Sequence, residues 1–174
     1  ANGPTGMGIG FKETSDVEIT GNQIVYCATG MYIDVSPYQP DTTNRIRDNV
    51  VAFTSVAIDF LNDWTGNEFE GNTFKGNQTQ ISVAGGKTAN RNLWKGNHWD
   101  DYEGFDLDQD GVGDTPYELY AYADRIWMDV PAARFFQGTP VMAVLDFLER
   151  LAPFSTPSMM VRDEHPLMMP KVEL

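Results

Sequence analysis

Short apolar segments along the first hundred residues alternate with polar turns that contain asparagine. Four stretches share one pattern: an apolar residue, two intervening positions, Asn, one variable position and a second apolar residue. They are VEITGNQI, NRIRDNVV, NEFEGNTF and NLWKGNHW. Their central asparagines, Asn22, Asn49, Asn72 and Asn97, are 27, 23 and 25 residues apart. Self-similarity at such a period indicates a repeat architecture.

Each repeat unit is predicted to contain two or three short strands. The segments lack the 3.6-residue periodicity of an amphipathic helix, and Asn and Gly recur where tight bends need positive φ. Such strands cannot bury an apolar face alone, whereas stacked units share one continuous core. The pattern therefore predicts an all-β, right-handed parallel β-helix over residues 1–104, with residues 36–44 as a surface loop.

The repeated asparagines admit two interpretations. Asn44, Asn67 and Asn92 each stand five residues before a central asparagine. Side chains in register can form hydrogen-bonded ladders along the stack, and they could also form a sugar-binding face. We interpret them first as turn and ladder residues.

The C-terminal third has a different pattern. Residues 105–118 are predicted as an Asp-rich loop and residues 119–174 as a C-terminal segment. Thr139 as N-cap and Pro140 at the first helical position predict a helix near 140–152. The segment could cap the solenoid, but its apolar and aromatic surface also favours docking of another protein or a membrane complex. The candidate docking residues are Trp127, Phe135, Phe136, Leu145 and Leu148.

The stretch FDLDQDGVGDTPY (105–117) resembles a calcium-binding loop, which places carboxylates at positions 1, 3 and 5 and Gly at position 6. Its closing glutamate is replaced by Tyr117 and no flanking helices are predicted, so it is not an EF-hand. We expect a structural hard cation such as calcium at this junction, the alternative being a solvated acidic turn. The candidate ligands are Asp106, Asp108, Asp110, Val112 and Asp114, and Asp100, Asp101 or Glu103 could complete the shell.

Soft metal ligands crowd the C-terminus. Four of the eight methionines lie in the last sixteen residues. Thioether and imidazole groups suit Cu(I), although Met also fills gaps in packed cores. The candidate copper ligands are Met159, Met160, His165, Met168, Met169 and His98, and as a lone His the last also admits a structural role.

Composition excludes several function classes. The net charge of −13 and pI near 4.3 disfavour nucleic-acid binding. The single cysteine, Cys27, excludes an internal disulfide and is expected to be a buried small side chain. No apolar run is long enough for a transmembrane span, and no nucleophile elbow, HExxH or P-loop motif is present, so no catalytic residue is assigned.

Two further motifs carry a family resemblance. The stretch GNHWDDYEGFDLDQDGVGDTPYE and the later DEHPLMMP resemble the C-terminal signature of the periplasmic copper-binding NosD family, and the GN units resemble its β-helix repeats. The segment DRIWMDVPAARFFQGTPVMAVLDFLERLAPFS is similar to one in the members that serve nitrous oxide reductase. Members are longer and begin with a signal peptide, so the resemblance implies a C-terminal portion.

The resemblance implies a periplasmic, non-enzymatic maturation factor in denitrification. It would help to assemble the copper sites of nitrous oxide reductase, with an ABC-type ATPase, its membrane subunit and a copper-carrying lipoprotein as partners. The alternative is a carbohydrate-binding or polysaccharide-active β-helix with a groove lined by paired carboxylates and by Tyr26, Tyr32, Phe53 and Trp64. A third hypothesis is a purely structural adaptor that holds the reductase on the transporter.

Overall fold

The computed structural model describes residues 6–85, 88–121, 139–151 and 157–172. Within these ranges the chain winds through four coils of three short strands each. They are β1 (Met7–Lys12), β2 (Glu18–Thr20) and β3 (Gln23–Val25); β4 (Thr29–Asp34), β5 (Asn44–Arg47) and β6 (Val50–Ala52); β7 (Val56–Phe60), β8 (Asn67–Glu70) and β9 (Thr73–Lys75); and β10 (Thr79–Val83), β11 (Leu93–Lys95) and β12 (His98–Trp99). After the coils come β13 (Tyr117–Ala121), α1 (Pro140–Leu151) and β14 (Ser158–Asp163).

Equivalent strands of successive coils pair in parallel and form three sheets. Their orders are β1-β4-β7-β10, β2-β5-β8-β11 and β3-β6-β9-β12. The repeat pattern of the sequence sets the register, because Ile46 pairs with Phe69 and Val51 with Phe74. The parallel β-helix predicted from the repeats is confirmed. An antiparallel pair, β13 and β14, follows the last coil.

The interior becomes aromatic towards the C-terminal end of the solenoid. Phe69 stacks on Trp94 at a ring-centroid distance of 4.1 Å, and Phe74 stacks on Trp99 at 4.4 Å. Tyr117 continues the second stack, 4.4 Å from Trp99 and nearly parallel to it. Such pairs stabilise a core beyond the area that they bury. Tyr117, which replaces the closing glutamate of the Asp-rich loop, is therefore a core residue that covers the last coil.

The repeated asparagines form two ladders inside the solenoid. In the first, Nδ2 of Asn49 donates to Oδ1 of Asn72 at 3.0 Å, and Asn72 donates to Asn97 at the same distance. In the second, Nδ2 of Asn67 donates to Oδ1 of Asn92 at 3.0 Å. These side chains are buried, so the ladder interpretation is confirmed and the sugar-binding face is wrong for them. A third asparagine, Asn44, donates to Asn67 and begins the second ladder.

The turn before each central ladder asparagine contains a residue in the left-handed backbone conformation, with positive φ. Gly21, Gly71 and Gly96 take φ values of 68°, 67° and 63° there, and Asp48 takes 52° in the second coil. Aspartate is among the few residues other than Gly that adopt this conformation readily.

The expected burial of Cys27 is only partial, because the residue belongs to the first described coil, against which no earlier strand pairs.

The helix α1 carries an apolar surface that faces solvent. Its start matches the predicted cap, because Oγ1 of Thr139 accepts a hydrogen bond from the backbone N–H of Met142 at 3.4 Å. Met142 packs against the core. The exposed apolar side chains are Val141, Val144, Leu145, Phe147, Leu148 and Leu151. The structure describes no helix with the length and hydropathy of a membrane span.

Candidate functional site

Strand β14 ends at Asp163, whose carboxylate is buried against the fourth coil. Oδ1 accepts hydrogen bonds from the backbone N–H groups of Gly96, at 3.0 Å, and His165, at 3.1 Å. Oδ2 accepts from the backbone N–H of Asn97 at 2.9 Å, from its Nδ2 at 2.8 Å and from Trp99 Nε1 at 3.4 Å. N–H groups therefore hold this carboxylate, and no lysine or arginine of the described residues pairs with it.

Asp163 takes the place that the next asparagine after Asn97 would have in the first ladder. The backbone N–H and Nδ2 of Asn72 both donate to Oδ1 of Asn97, and the same two groups of Asn97 donate to Asp163. Amides that all donate in one direction must end on an acceptor, and an ionised carboxylate only accepts. Asp163 thus closes the ladder and attaches the C-terminal tail, which we define as residues 163–172, to the solenoid.

The tail then runs between the last coil and the Asp-rich loop. The backbone N–H of Leu167 donates to the carbonyl of Asn97 at 2.9 Å, and its own carbonyl lies 3.0 Å from Nδ1 of His98. Leu167 also pairs with Val112 in an isolated antiparallel bridge. The backbone N–H of Met168 donates to the carbonyl of Gly111 at 3.0 Å. Loop, tail and fourth coil therefore form one hydrogen-bonded unit.

The far end of the tail reaches back along the solenoid. Nζ of Lys171 lies 2.7 Å from Oδ1 of Asp48 in the second coil. A groove of about 350 Å³ lies beside this path, and Asp110 and His165 are among the residues that line it. The tail is thus held at Asp163 and at Lys171, with its soft donors between these points.

The predicted copper ligands are distributed over different environments. Met160 is buried in the core, while Met159, one position earlier on β14, faces the other side of the strand and its sulfur lies 3.5 Å from Nδ2 of Asn90. His165 and Met169 are exposed, and Met168 is half-buried. The structure therefore separates Met160 from the remaining candidates.

Sequence reasoning missed Asp163 as the residue that fixes the tail. A signal was present: a ladder of buried asparagines needs an acceptor after its last member. Asp163 also begins the motif DEHPLMMP, in which His and Met drew attention to metal chemistry.

The Asp-rich loop brings three of its carboxylates together. Ligand oxygens of Asp106, Asp108 and Asp110 lie within 4.8 Å of one another. Asp114 is outside this group, and its Oδ2 accepts a hydrogen bond from the backbone N–H of Leu107 at 2.7 Å. The backbone N–H of Val112 donates to Oδ1 of Asp110 at 2.8 Å.

Electrostatics differ among these carboxylates. The charge of Asp110 raises the pKa of Asp108. Desolvation raises the pKa of Asp106, but hydrogen bonds from the backbone N–H groups of Gly111, Gln109 and Asp110 outweigh it, and the net shift is downward. A cation held by these three oxygens would remove the repulsion between Asp108 and Asp110.

The three residues proposed to complete that shell lie elsewhere. Oδ1 of Asp100 accepts a hydrogen bond from Nε2 of Gln80 at 2.9 Å. Asp101 accepts from the hydroxyl of Tyr117 at 3.2 Å. Burial raises the pKa of Asp101, and this hydroxyl lessens the shift. Asp101 and Glu103 line a cleft of about 430 Å³, together with Tyr102, Phe105, Tyr117, Glu118 and Tyr120.

The remaining predicted surface residues fall on different parts of the chain. Trp127, Phe135 and Phe136 lie outside the described residues, whereas Leu145 and Leu148 are exposed on α1. Among the aromatic residues considered for sugar binding, Tyr26 and Phe53 stack on each other at 5.3 Å. Trp64 donates to the carbonyl of Pro37 at 2.6 Å, and Tyr32 lies on β4.

Comparison with known proteins gives a consistent result. The family described as "Periplasmic copper-binding protein (NosD)" matches residues 1–104. Two relatives are each named "Probable ABC transporter binding protein NosD". The Pseudomonas aeruginosa protein is 35% identical over 132 residues, which are 75% of this chain and 31% of that protein. The Stutzerimonas stutzeri protein is 34% identical over 127 residues, which are 72% of this chain and 29% of that protein.

The aligned region thus covers less than a third of either relative. The family match covers the solenoid coils with their paired strands and asparagine ladders. It extends over more than half of the chain. The chain belongs to the NosD family of periplasmic copper-binding proteins.

Proposed function

We propose that this chain is the C-terminal portion of a non-enzymatic factor that handles Cu(I) during assembly of the copper sites of nitrous oxide reductase. The observation that carries the proposal is the attachment of the tail. Asp163 and Lys171 fix a segment with exposed or half-buried soft donors on a rigid solenoid. Fixed thioether and imidazole ligands at a surface suit a site that accepts Cu(I) and releases it again.

Cu(I) titration tests this proposal directly. Under anaerobic conditions the chain would compete with a chromophoric Cu(I) chelator, and we expect one tight equivalent. The combined variant Met168→Leu/Met169→Leu should bind more weakly, whereas Met7→Leu, a substitution of an exposed methionine in β1, should not. Equal affinities for all three proteins would reject the tail as the site.

We further propose that α1 docks on the membrane subunit of an ABC-type transporter, with a copper-carrying lipoprotein and the reductase as the other partners. Six apolar side chains of α1 face solvent, and exposed apolar patches of this kind mark interaction surfaces. Pull-down with the membrane subunit should weaken for Leu145→Asp/Leu148→Asp. Retention that is independent of metal but dependent on α1 would instead favour the structural adaptor.

The Asp-rich loop is proposed to be a structural cation clamp. Its backbone joins the tail through Val112 and Gly113, whose N–H donates to the carbonyl of Pro166 at 2.7 Å. A bound Ca²⁺ should therefore raise the unfolding temperature of the wild type and leave that of Asp108→Asn almost unchanged. The absence of any Ca²⁺-dependent shift in the wild type would favour the acidic turn.

One feature of the structure supports a carbohydrate-binding role. The cleft beside Asp101 combines carboxylates with the rings of Tyr102, Phe105 and Tyr120, as sugar-binding grooves do when apolar faces and polar groups converge. Screening against a glycan array tests it. Absence of binding would remove this alternative and leave the copper proposal untouched.

A further inference from the structure

His98 is presented by the last strand of the solenoid, with its side chain directed out of the core. The next residue, Trp99, is buried in the aromatic stack. Successive side chains of a strand point to opposite faces, so the imidazole of His98 lies on the outer face of its sheet. The residue is half-buried there.

One hydrogen bond sets the protonation pattern of this imidazole. Nδ1 lies 3.0 Å from the carbonyl oxygen of Leu167. A carbonyl oxygen only accepts, so Nδ1 must carry the hydrogen, and in the neutral ring Nε2 then has a free lone pair. Nε2 makes no hydrogen bond to any residue of the described ranges. Metal-binding histidines typically donate their second N–H in this way, which fixes the tautomer and orients the ring.

The carbonyl that orients the ring is itself held from three sides. The backbone N–H of Leu167 donates to the carbonyl of Asn97, and two bonds of the bridge with Val112 flank the residue: Met168 N–H to Gly111 and Gly113 N–H to Pro166. Both residues that flank this carbonyl are therefore fixed in the backbone. Met168 follows Leu167 directly in the sequence, so its side chain starts from a Cα atom close to the oriented imidazole.

The other candidates lack such an arrangement. The backbone N–H of His165 donates to Asp163, but no hydrogen bond to a described residue orients its exposed ring. Met160 is buried, Met159 contacts Asn90, and Met169 is 69% exposed. Among the soft donors, His98 and Met168 alone combine an oriented imidazole with an adjacent backbone-fixed methionine in the part of the chain that the structure describes.

We propose that Nε2 of His98 and the thioether of Met168 are the Cu(I) ligands, and that the carbonyl of Leu167 is the positioning group. This inference rests on the copper-handling function proposed above and names its site. One imidazole and one thioether suit Cu(I), and two protein ligands leave the ion open to a ligand from a donor or an acceptor protein. Transfer of copper then needs no unfolding of the solenoid.

The experiment uses the chain of residues 1–174 and Cu(I) itself, under anaerobic conditions and in competition with a chromophoric chelator. We expect His98→Gln and Met168→Leu each to weaken binding by at least about tenfold, since loss even of an outer-shell partner typically costs about 10–100-fold. The matched controls His165→Gln and Met169→Leu should remain within about twofold of the wild type. X-ray absorption should show nitrogen and sulfur around copper in the wild type, and nitrogen should be lost in His98→Gln only.

The results of this experiment distinguish failure of the inference from failure of the proposed function. A wild type that binds no Cu(I) rejects both. A wild type that binds Cu(I) and loses it in His165→Gln but not in His98→Gln keeps the function and overturns the inference. If His98→Gln does not fold, imidazole ¹⁵N shifts of the wild type decide the matter. They should report the Nδ1–H tautomer of His98 without metal and a shift of Nε2 on addition of Cu(I), and an unchanged Nε2 would overturn the proposal.

Discussion

The four coils and the C-terminal tail both satisfy buried polar groups with the same kind of hydrogen bond, but they obtain these bonds differently. Within the coils, a ladder asparagine that is followed by a further coil donates to an identical partner one repeat later, as Asn49 does to Asn72. The tail joins the ladder through one residue, Asp163, which is 66 positions from its partner Asn97. The ladder therefore contains several equivalent bonds inside the coils, whereas a single carboxylate joins the tail to it.

The comparison predicts that the largest effect of a single substitution lies at Asp163. Asp163→Ala would leave the backbone N–H groups of Gly96 and Asn97, and one of the two amide hydrogens on Nδ2 of Asn97, without an acceptor in a buried site. Each unsatisfied buried donor costs about 1–3 kcal/mol, and we expect a total loss of about 4 kcal/mol. Chemical denaturation followed by circular dichroism measures it.

A matched variant separates shape from charge at the same site. Asp163→Asn keeps one acceptor oxygen, but it turns an NH₂ group towards other N–H donors. We expect about half of the loss seen for Asp163→Ala. A tail that stays protected from proteolysis in Asp163→Ala, with unchanged stability, would show that the ladder does not need its last acceptor.

The second prediction addresses the middle of the ladder. Asn72→Leu would remove the acceptor for the backbone N–H of Asn49, one of the acceptors for its Nδ2 group, and the donor to the carbonyl of Ile46. We expect a loss of about 3 kcal/mol, because these groups are buried between two coils. The control is Asn22→Ala in the exposed first coil, which should cost less than about 1 kcal/mol. Equal losses at both positions would contradict the view that burial gives the ladder its value.

The difference between coils and tail also explains what the sequence predicts and what it does not. Repeated spacing predicts the parallel β-helix and the ladders, because a contact made once is made again in every coil. Tyr117 could only be noted as a missing glutamate, since nothing local indicates that its ring lies on Trp99, 18 positions earlier. The orientation of His98 likewise depends on the carbonyl of Leu167, 69 positions away. Contacts made once, over such separations, leave no periodic trace in a sequence.

The third prediction concerns Asp101, at the border between coil and loop. Burial raises its pKa above the ordinary value of 3.8. The folded state therefore binds the proton more tightly than the unfolded state, and stability falls as the pH rises from 3.8 through the raised pKa. Asp101→Asn lacks this penalty and retains an oxygen for the hydroxyl of Tyr117.

We expect Asp101→Asn to match the wild type below the unfolded pKa and to become the more stable protein above the folded pKa. The gain should stay below about 1 kcal/mol, because the residue is exposed on one side and water screens its charge. Unfolding free energies of both proteins, measured between pH 3 and pH 8, test the sign of this stability difference. A variant that is less stable than the wild type at neutral pH would show that the charge of Asp101 is stabilising.

The smallest expected effect lies at the outer end of the tail, where Lys171 pairs with Asp48. Both side chains are about half exposed, so the pair should contribute about 0.2–1 kcal/mol and should weaken in high salt. A double-mutant cycle with Lys171→Met and Asp48→Asn isolates this contribution, because Asn tolerates the left-handed backbone that Asp48 adopts. A coupling energy as large as the loss at Asp163 would mean that the tail is held at two equivalent points. We expect a small and salt-sensitive coupling energy. A surface ion pair between Lys171 and Asp48 adds little to the stability of a tail that is already attached by buried hydrogen bonds at Asp163.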